Sequence, residues 1–125
     1  MTTTRERTPK GPTARFPHID DRGCQSFQDA LELVGRRWSG AILLAGLRGA
    51  RRFTEYRAMV DGISDRLLAQ RLKELEADGL IVRTVVPSMP VQIHYSLAEE
   101  GLELMRALQP LIDWGNRRRH GAVGG

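Results

Sequence analysis

The segment from Ser64 to Gly79 constrains the fold more than any other part of the chain. Ser64 is a preferred N-cap residue, Asp65 suits the positive end of the helix dipole, and Gly79 is a typical residue just past a helix end. With residues placed at about 100° intervals around a helix, one sector is apolar and contains Leu67, Leu68, Leu72 and Leu75. The pattern predicts a helix from Ser64 to about Asp78 that anchors its leucine side in a core.

The opposite side of this predicted helix is polar or small and consists of Arg66, Ala69, Gln70, Lys73 and Ala77. Small side chains let the helix backbone approach a groove of DNA, while arginine pairs with guanine, glutamine with adenine, and lysine with phosphate. We therefore predict that this side reads DNA. An ordinary solvent-exposed face has a similar composition, so the neighbouring elements decide between the two interpretations.

Three shorter helices are predicted before Ser64. Apolar residues recur at helical spacing over 26–34, which predicts an amphipathic helix that ends at Gly35. The range from Trp38 to Leu47 is apolar on nearly all sides, as in a buried helix. A third helix is expected to begin with Thr54 as its N-cap and to end at residues 61–62.

Two β-rich runs follow the Ser64 helix, at 80–86 and 91–97, and a short segment with two prolines joins them. They predict a β-hairpin. A helix, a short turn at 61–63, a second helix and a hairpin form the order of a winged helix-turn-helix. The predicted fold class is mainly α with a small β-hairpin wing (α+β). Arg83 and Ser88 of this wing are expected to contact phosphate, although a purely structural hairpin remains the alternative.

The charge balance favours an anionic partner, since 19 Lys and Arg outnumber 15 Asp and Glu and give a net charge of +4. Basic residues also cluster just before the third helix, over 48–52. The predicted partner is double-stranded operator DNA. The residues predicted to bind it are Arg51, Thr54, Ser64, Arg66, Ala69, Gln70, Lys73, Arg83 and Ser88.

The last predicted helix runs from about Glu99 to Arg117 and has an apolar side too long for so small a domain to cover. An exposed apolar patch of that size predicts a homodimer. The residues expected at the dimer contact are Phe27, Leu102, Met105, Leu108, Leu111, Ile112 and Trp114. Two-fold symmetry then predicts an inverted-repeat operator, with recognition helices roughly 34–36 Å apart.

We predict a flexible basic tail at 1–22, one domain at 23–117, and a flexible tail at 118–125. The sequence shows no signal peptide, and its longest apolar stretch is far shorter than the ~20 residues that cross a bilayer. A single cysteine fits a reducing compartment. The expected location is therefore the cytoplasm, with no membrane partner.

Many residues in one order resemble the HxlR-type branch of the MarR-like winged-helix regulators. They are Cys24, 33–35, Trp38, 52–55, 62–64, Leu68, 71–72, 74–80, Arg83, 95–97, Gly101 and Trp114. The resemblance implies a homodimer that is joined by its first and last helices, binds operator DNA and represses or activates nearby genes. The sequence departs from the family at Gln25 and Ala50, where proline is frequent, and at Ala98, where threonine is usual.

Cys24 has two interpretations. In several relatives the cysteine at this position senses oxidants or electrophiles, so the resemblance implies a redox-sensing role. The helix dipole and Arg22 would favour its thiolate, while Asp20 and Asp21 oppose it. The alternative is a small, inert residue buried under Phe27. A different signal, an apolar effector bound near Trp38, Leu108 and Trp114, competes with a core or dimer role for the same residues.

The sequence argues against an enzyme. Its three histidines are scattered, Cys24 has no identifiable histidine and asparagine partners, and no glycine-rich phosphate loop is present. No paired cysteine and histidine spacing predicts a metal, and no cofactor is expected. A winged-helix module for protein–protein contact is the remaining rival. The basic residues Arg66 and Lys73 argue against it.

Overall fold

The computed structural model describes residues 20–124, with side chains described over 20–121. In this range the chain forms five helices and one hairpin. They are α1 (Asp21–Gly35), α2 (Ser39–Leu47), α3 (Phe53–Met59), α4 (Asp65–Ala77), β1 (Ile81–Val86), β2 (Gln92–Leu97) and α5 (Glu99–Gly124). The mainly α class with a hairpin wing is confirmed. Helix α1 belongs to one compact unit that ends at Arg36, and all other elements belong to a second that begins at Arg37.

Helix α1 begins earlier than predicted, at Asp21 rather than Ser26. The reason is a local cap, because the Asp20 carboxylate accepts a 2.7 Å hydrogen bond from the Gly23 N–H. Cys24 therefore lies within the first turn of α1 and not before it, and its N–H donates to the Asp20 carbonyl oxygen.

Helix α2 supplies the centre of the second unit. Ile42 and Leu43 have no exposed surface, and Tyr56 of α3 is equally buried. Leu68, Leu72 and Leu75 of α4 complete this core, as the leucine spacing predicts. Fully burying an aliphatic side chain of this size stabilises a fold by about 1.5–3 kcal/mol. The leucine side of α4 therefore holds the helix firmly to the body of the protein.

The start of α3 differs from the prediction. Arg52 is the N-cap residue, and Thr54 lies inside the first turn with an exposed side chain. Glu55 explains the earlier start, because its carboxylate accepts hydrogen bonds from the N–H groups of Arg51 (2.8 Å) and Arg52 (3.0 Å). These two hydrogen bonds lower the pKa of the Glu55 carboxyl below its ordinary value, and the bond from Arg52 has the larger effect.

Helix α4 has the predicted ends. The Ser64 hydroxyl accepts a 3.1 Å hydrogen bond from the Leu67 N–H, and Asp78 is the C-cap residue. Gly79 follows with φ +79°, a left-handed conformation that favours glycine. In the turn before α4, Gly62 has φ +88°, and the Trp38 ring lies beside it. The helix cap and the glycines by which the sequence predicts the helix-turn-helix are therefore the residues that form its turn and the ends of α4.

The hairpin is antiparallel, with Ile81 paired to Leu97, Arg83 to Tyr95 and Val85 to Ile93. Its base is buried, since Ile81 is in the core. A 2.7 Å hydrogen bond from the Tyr95 N–H to the Arg51 carbonyl oxygen attaches β2 to the segment before α3. This bond joins the wing to the helix-turn-helix.

Helix α5 continues to Gly124, past the predicted end at Arg117, and contains Pro110. The arginines at 117–119 are good helix formers, and the glycines that follow do not stop the helix. Close packing holds its start, because a Cβ on Gly101 would overlap the Leu80 carbonyl oxygen. Within residues 20–124, no helix combines the length and apolar character needed to cross a membrane.

One side of α5 stays exposed. Met105 is only 4% exposed and belongs to the protomer's own core, which corrects its assignment to the dimer contact. Leu111 and Trp114 are 55% and 51% exposed. Leu102, Leu108 and Ile112 are half-buried. In the α1 unit, Phe27 is 62% exposed. The predicted contact residues other than Met105 thus keep surface that a second chain can cover.

Candidate DNA-binding surface

Helix α4 separates its leucines from a continuous exposed side. Arg66, Ala69, Gln70, Lys73 and Ala77 are all exposed, while the leucines at 68, 72 and 75 are at most 1% exposed. The protein's described residues therefore leave the predicted reading side uncovered. We call these five residues the reading face.

The side chains of the reading face differ in whether they form hydrogen bonds or ion pairs within the protein. The side chains of Arg66 and Lys73 make no hydrogen bond or ion pair with any other described residue. The Gln70 amide donates a 3.2 Å hydrogen bond to the Glu74 carboxylate. Its carbonyl oxygen and second N–H remain available, so Gln70 retains both of the groups that pair with adenine.

Two polar links fix the direction of α4. Arg57 of α3 donates to both carboxylate oxygens of Asp65 at 2.9 Å. Arg71 bonds the Arg37 carbonyl oxygen and the Glu74 carboxylate, each at 3.0 Å. The Arg57–Asp65 pair is about half exposed and stabilises only modestly. Both bonds come from one guanidinium nitrogen, Nη1, and they link the first turn of α4 to α3.

Tyr56 connects α3 to the wing. Its hydroxyl donates a 2.8 Å hydrogen bond to the Tyr95 carbonyl oxygen, and the two rings meet edge to face with centroids 6.3 Å apart. Burial raises the pKa of Tyr56 to about 12, so the phenol remains a donor at neutral pH. This contact attaches β2 of the wing to α3, in addition to the bond from the Tyr95 N–H to the Arg51 carbonyl oxygen.

A cleft of about 320 Å³ lies between α4 and the wing, and its lining residues are Ala69, Lys73, Glu76, Arg83 and Tyr95. The structure thus brings Lys73 and Arg83 together, as a shared DNA-binding role requires. Sequence reasoning missed Glu76 and Tyr95. Glu76 continues the helical spacing of Ala69 and Lys73, a signal that was present, whereas the position of Tyr95 depends on the hairpin register.

Other predicted DNA-binding residues are placed less favourably. One guanidinium nitrogen of Arg51 donates to the carbonyl oxygens of Gly46 (2.9 Å) and Ala50 (2.7 Å). The Ser88 hydroxyl donates to the Pro90 carbonyl oxygen at 2.7 Å. These internal bonds argue against Arg51 and Ser88 as phosphate ligands. Ser64 and Thr54 remain exposed at or near the first turns of α4 and α3.

Cys24 is exposed, and Phe27, one turn further along α1, is exposed as well. The interpretation of Cys24 as a residue buried under Phe27 is therefore wrong for the protomer.

Among the described residues, no group of three or more His, Cys, Asp or Glu side chains is arranged to hold a metal ion.

The sequence matches known regulators. The profile of the HxlR-like helix-turn-helix family matches residues 33–121. An uncharacterised HTH-type transcriptional regulator of Bacillus subtilis (strain 168), YvaP, is 38% identical over 91 residues, which cover 73% of this chain and 84% of YvaP. The HTH-type transcriptional regulator YodB of the same organism is 36% identical over 94 residues, 75% of this chain and 84% of YodB.

Solved structures agree with the sequence matches. The reduced form of YodB has a TM-score of 0.69 and covers 75% of this chain and 92% of its own. YodB treated with diamide and YodB bound to quinone have TM-scores of 0.67 and 0.64. The redox regulator HypR, in its reduced form, is 31% identical with a TM-score of 0.72 and covers 80% of this chain and 99% of its own. With its helix-turn-helix, its wing and these relatives, the chain belongs to the HxlR-like helix-turn-helix family of transcriptional regulators.

Proposed function

We propose that this regulator acts as a homodimer that binds an inverted-repeat operator and reads it with the reading face of α4. The observation that carries the proposal is the division of α4, in which buried leucines hold the helix and Arg66 and Lys73 stand exposed without internal partners. Arg66 is assigned to a guanine, Gln70 to an adenine and Lys73 to a phosphate.

The exposed apolar side of α5 supports the homodimer. Leu111 and Trp114 would remain half exposed in a monomer, and burying such surface favours association. A two-fold dimer presents two α4 helices, so its half-sites are expected about one helical turn, ~34–36 Å, apart.

The experiment is a footprint and gel-shift titration on the DNA upstream of the chain's own gene and of neighbouring divergent genes. A protected inverted repeat, bound much more tightly than a scrambled duplex at the same salt concentration, is the expected result. Binding that ignores sequence and disappears at moderate salt would reject operator recognition, because generic charge attraction behaves in this way. Such binding would not support the rival role in protein–protein contact either.

A second proposal concerns the signal. Cys24 is exposed in the first turn of α1, and the related regulator YodB has been solved after diamide treatment and with bound quinone. In a dimer, two Cys24 thiols would pass two electrons and two protons to diamide and form one S–S bond. With a quinone, the Cys24 thiolate would add to a ring carbon, and the ring would take up the proton as it becomes a hydroquinone.

Operator release measured with diamide and with a quinone tests this signal. The wild-type chain should release DNA, and Cys24→Ser should remain bound. Equal release from both proteins would reject Cys24 as the sensor and leave operator recognition intact.

The apolar effector site has less support, because the Trp38 ring packs beside the turn at Gly62 and so serves the fold. The proposed location is the cytoplasm, whose reducing conditions keep such a thiol poised.

A further inference from the structure

The cleft between α4 and the wing combines two cations and one anion. We propose that it binds a single phosphate group of the DNA backbone, held jointly by Lys73 and Arg83, and that Glu76 weakens this attraction. This inference rests on the proposed DNA binding and assigns a ligand to one part of that surface.

The helix wall of the cleft follows from helical geometry. Ala69, Lys73 and Glu76 are spaced at i, i+4 and i+7, so their side chains form one stripe along α4. Ala69 carries only a methyl group and leaves room at its end of the stripe. Lys73 and Glu76 therefore lie on the same wall of the cleft.

The wing wall follows from the strand register. Arg83 lies two residues after the buried Ile81 and opposite Tyr95. Since side chains alternate between faces along a strand and paired residues share a face, Ile81, Arg83 and Tyr95 point to the same side of the hairpin. Ile81 is in the core, so this side is the one that meets the body of the protein and α4.

The two cations are available for a shared ligand. Neither the Lys73 nor the Arg83 side chain makes a hydrogen bond or ion pair with another described residue. The cleft volume of about 320 Å³ accommodates a phosphodiester group with several waters, given that a water occupies about 30 Å³ in the liquid. A phosphate between two cations on different elements would also fix the distance between the wing and α4.

Glu76 opposes that ligand. It is the one anionic residue among the described residues that line the cleft, and it forms no ion pair with Lys73 on its own wall or with Arg83 on the wing. A carboxylate beside a bound phosphate repels it, and the repulsion applies to every DNA sequence alike. Glu76 therefore limits the general attraction to DNA, so that contacts of the reading face with bases account for more of the binding.

The salt dependence of binding tests whether one phosphate is shared. Duplex affinity is measured against salt concentration for wild type, Lys73→Gln, Arg83→Gln and the double variant. If both residues neutralise one phosphate, the double variant loses about 0.9 from the log–log slope per protomer, whereas two separate phosphates would cost about 1.8. A loss near 1.8, or no loss, overturns the proposal.

The role of Glu76 is tested against a variant with the same change in charge. Glu76→Gln and Glu103→Gln each remove one exposed carboxylate, and Glu103 lies on α5 outside the cleft lining. Glu76→Gln should tighten binding to operator and scrambled duplexes alike, several-fold more than Glu103→Gln does. Equal effects of the two variants overturn the role of Glu76.

Replacing chloride by inorganic phosphate at matched ionic strength tests whether the cleft recognises a phosphate group. Phosphate should displace DNA from the wild-type protein more strongly than chloride does, and this difference should disappear in the Lys73→Gln/Arg83→Gln double variant; an equal difference in both proteins would overturn the proposal. These outcomes are distinct from failure of the proposed function. A wild-type protein that binds all duplexes equally would reject operator recognition and leave the slope measurement interpretable.

Discussion

The Tyr56 hydroxyl donates a 2.8 Å hydrogen bond to the Tyr95 carbonyl oxygen, and this bond, together with the edge-to-face contact of the two rings, joins helix α3 to strand β2 of the wing. Tyr56 is fully buried, so its hydroxyl has no water to replace this partner. The bond thus links the stability of the core to the placement of Arg83, which is paired with Tyr95.

Tyr56→Phe should destabilise the fold by about 1–2 kcal/mol, because it removes the donor and leaves a carbonyl oxygen without its partner. Urea unfolding followed by circular dichroism measures the change. No change in the free energy of unfolding would show that the bond contributes nothing.

The same residue predicts an alkaline limit. The pKa of Tyr56 is raised to about 12 in the folded protein, from 10.0, so folding favours the neutral phenol. Its contribution to stability is complete below pH 10 and is lost as the pH rises toward 12. Wild type should therefore lose more stability than Tyr56→Phe over this interval. If the free energies of unfolding of the two proteins changed equally with pH over this interval, the raised pKa of Tyr56 would be contradicted.

Gly46→Ala should destabilise the protein by about 1–3 kcal/mol through overpacking. A Cβ at this position would lie 2.9 Å from the Tyr56 hydroxyl oxygen and 3.3 Å from Leu97. Gly40→Ala is the control in the same helix, since nothing lies within 4 Å of its Cβ. Adding Tyr56→Phe to Gly46→Ala should relieve part of the strain, so a strictly additive double variant would contradict the proposed contact.

The parts of the fold that sequence predicted correctly depend on neighbours along the chain. The Ser64 cap and the leucine side of α4 follow from spacing and propensity, which act within a few residues. The sequence predicts the start of α3 at Thr54 because threonine is a good N-cap residue. The Glu55 carboxylate instead accepts hydrogen bonds from the N–H groups of Arg51 and Arg52, and the helix begins earlier.

The differences between the predicted and the observed surroundings of the candidate site come from contacts between distant residues or from loop geometry. Ser88 binds within its own loop, while Tyr95 reaches the cleft only through the strand register. Glu76 shares the stripe of Lys73, but its place in the site depends on how the wing packs beside α4. A one-dimensional pattern specifies the reading face of α4 and leaves its surroundings undetermined.

Gly101→Ala should lower stability strongly, by about 1–3 kcal/mol or more, because the new Cβ would overlap the Leu80 carbonyl oxygen. Backbone lies on the other side of the contact and cannot rotate away as a side chain would. Gly115→Ala, also in α5 but with nothing within 4 Å of its Cβ, should be neutral or slightly stabilising. Thermal unfolding compares the two, and equal melting temperatures would contradict the close approach.

Leu111→Asp should weaken the proposed homodimer, since Leu111 is 55% exposed in the protomer and its burial needs a second chain. Light scattering over a range of micromolar concentrations measures the change in mass. The exposed Glu103, replaced by Gln, serves as the control and should leave the dimer intact. A wild-type monomer at these concentrations would reject the dimer itself.

Arg66→Ala and Lys73→Ala should separate base recognition from backbone attraction. Both residues are exposed on α4 and have no internal partners among the described residues, so removing either should leave the fold intact. Arg66→Ala removes a bidentate pairing and should cost about 1–3 kcal/mol on the operator, with relaxed preference at one position per half-site. Lys73→Ala should weaken operator and scrambled duplexes by the same factor.

The comparison uses both duplexes at one salt concentration, because a change in salt would alter the backbone contribution by itself. The ratio of the operator to scrambled affinity should fall for Arg66→Ala and stay constant for Lys73→Ala. If both variants reduce the ratio equally, Lys73 also contacts a base, and if neither changes operator binding, the reading face lies elsewhere. The ratio of operator to scrambled affinity therefore distinguishes a residue that contacts a base from one that contacts phosphate, because a general loss of charge lowers both affinities by the same factor.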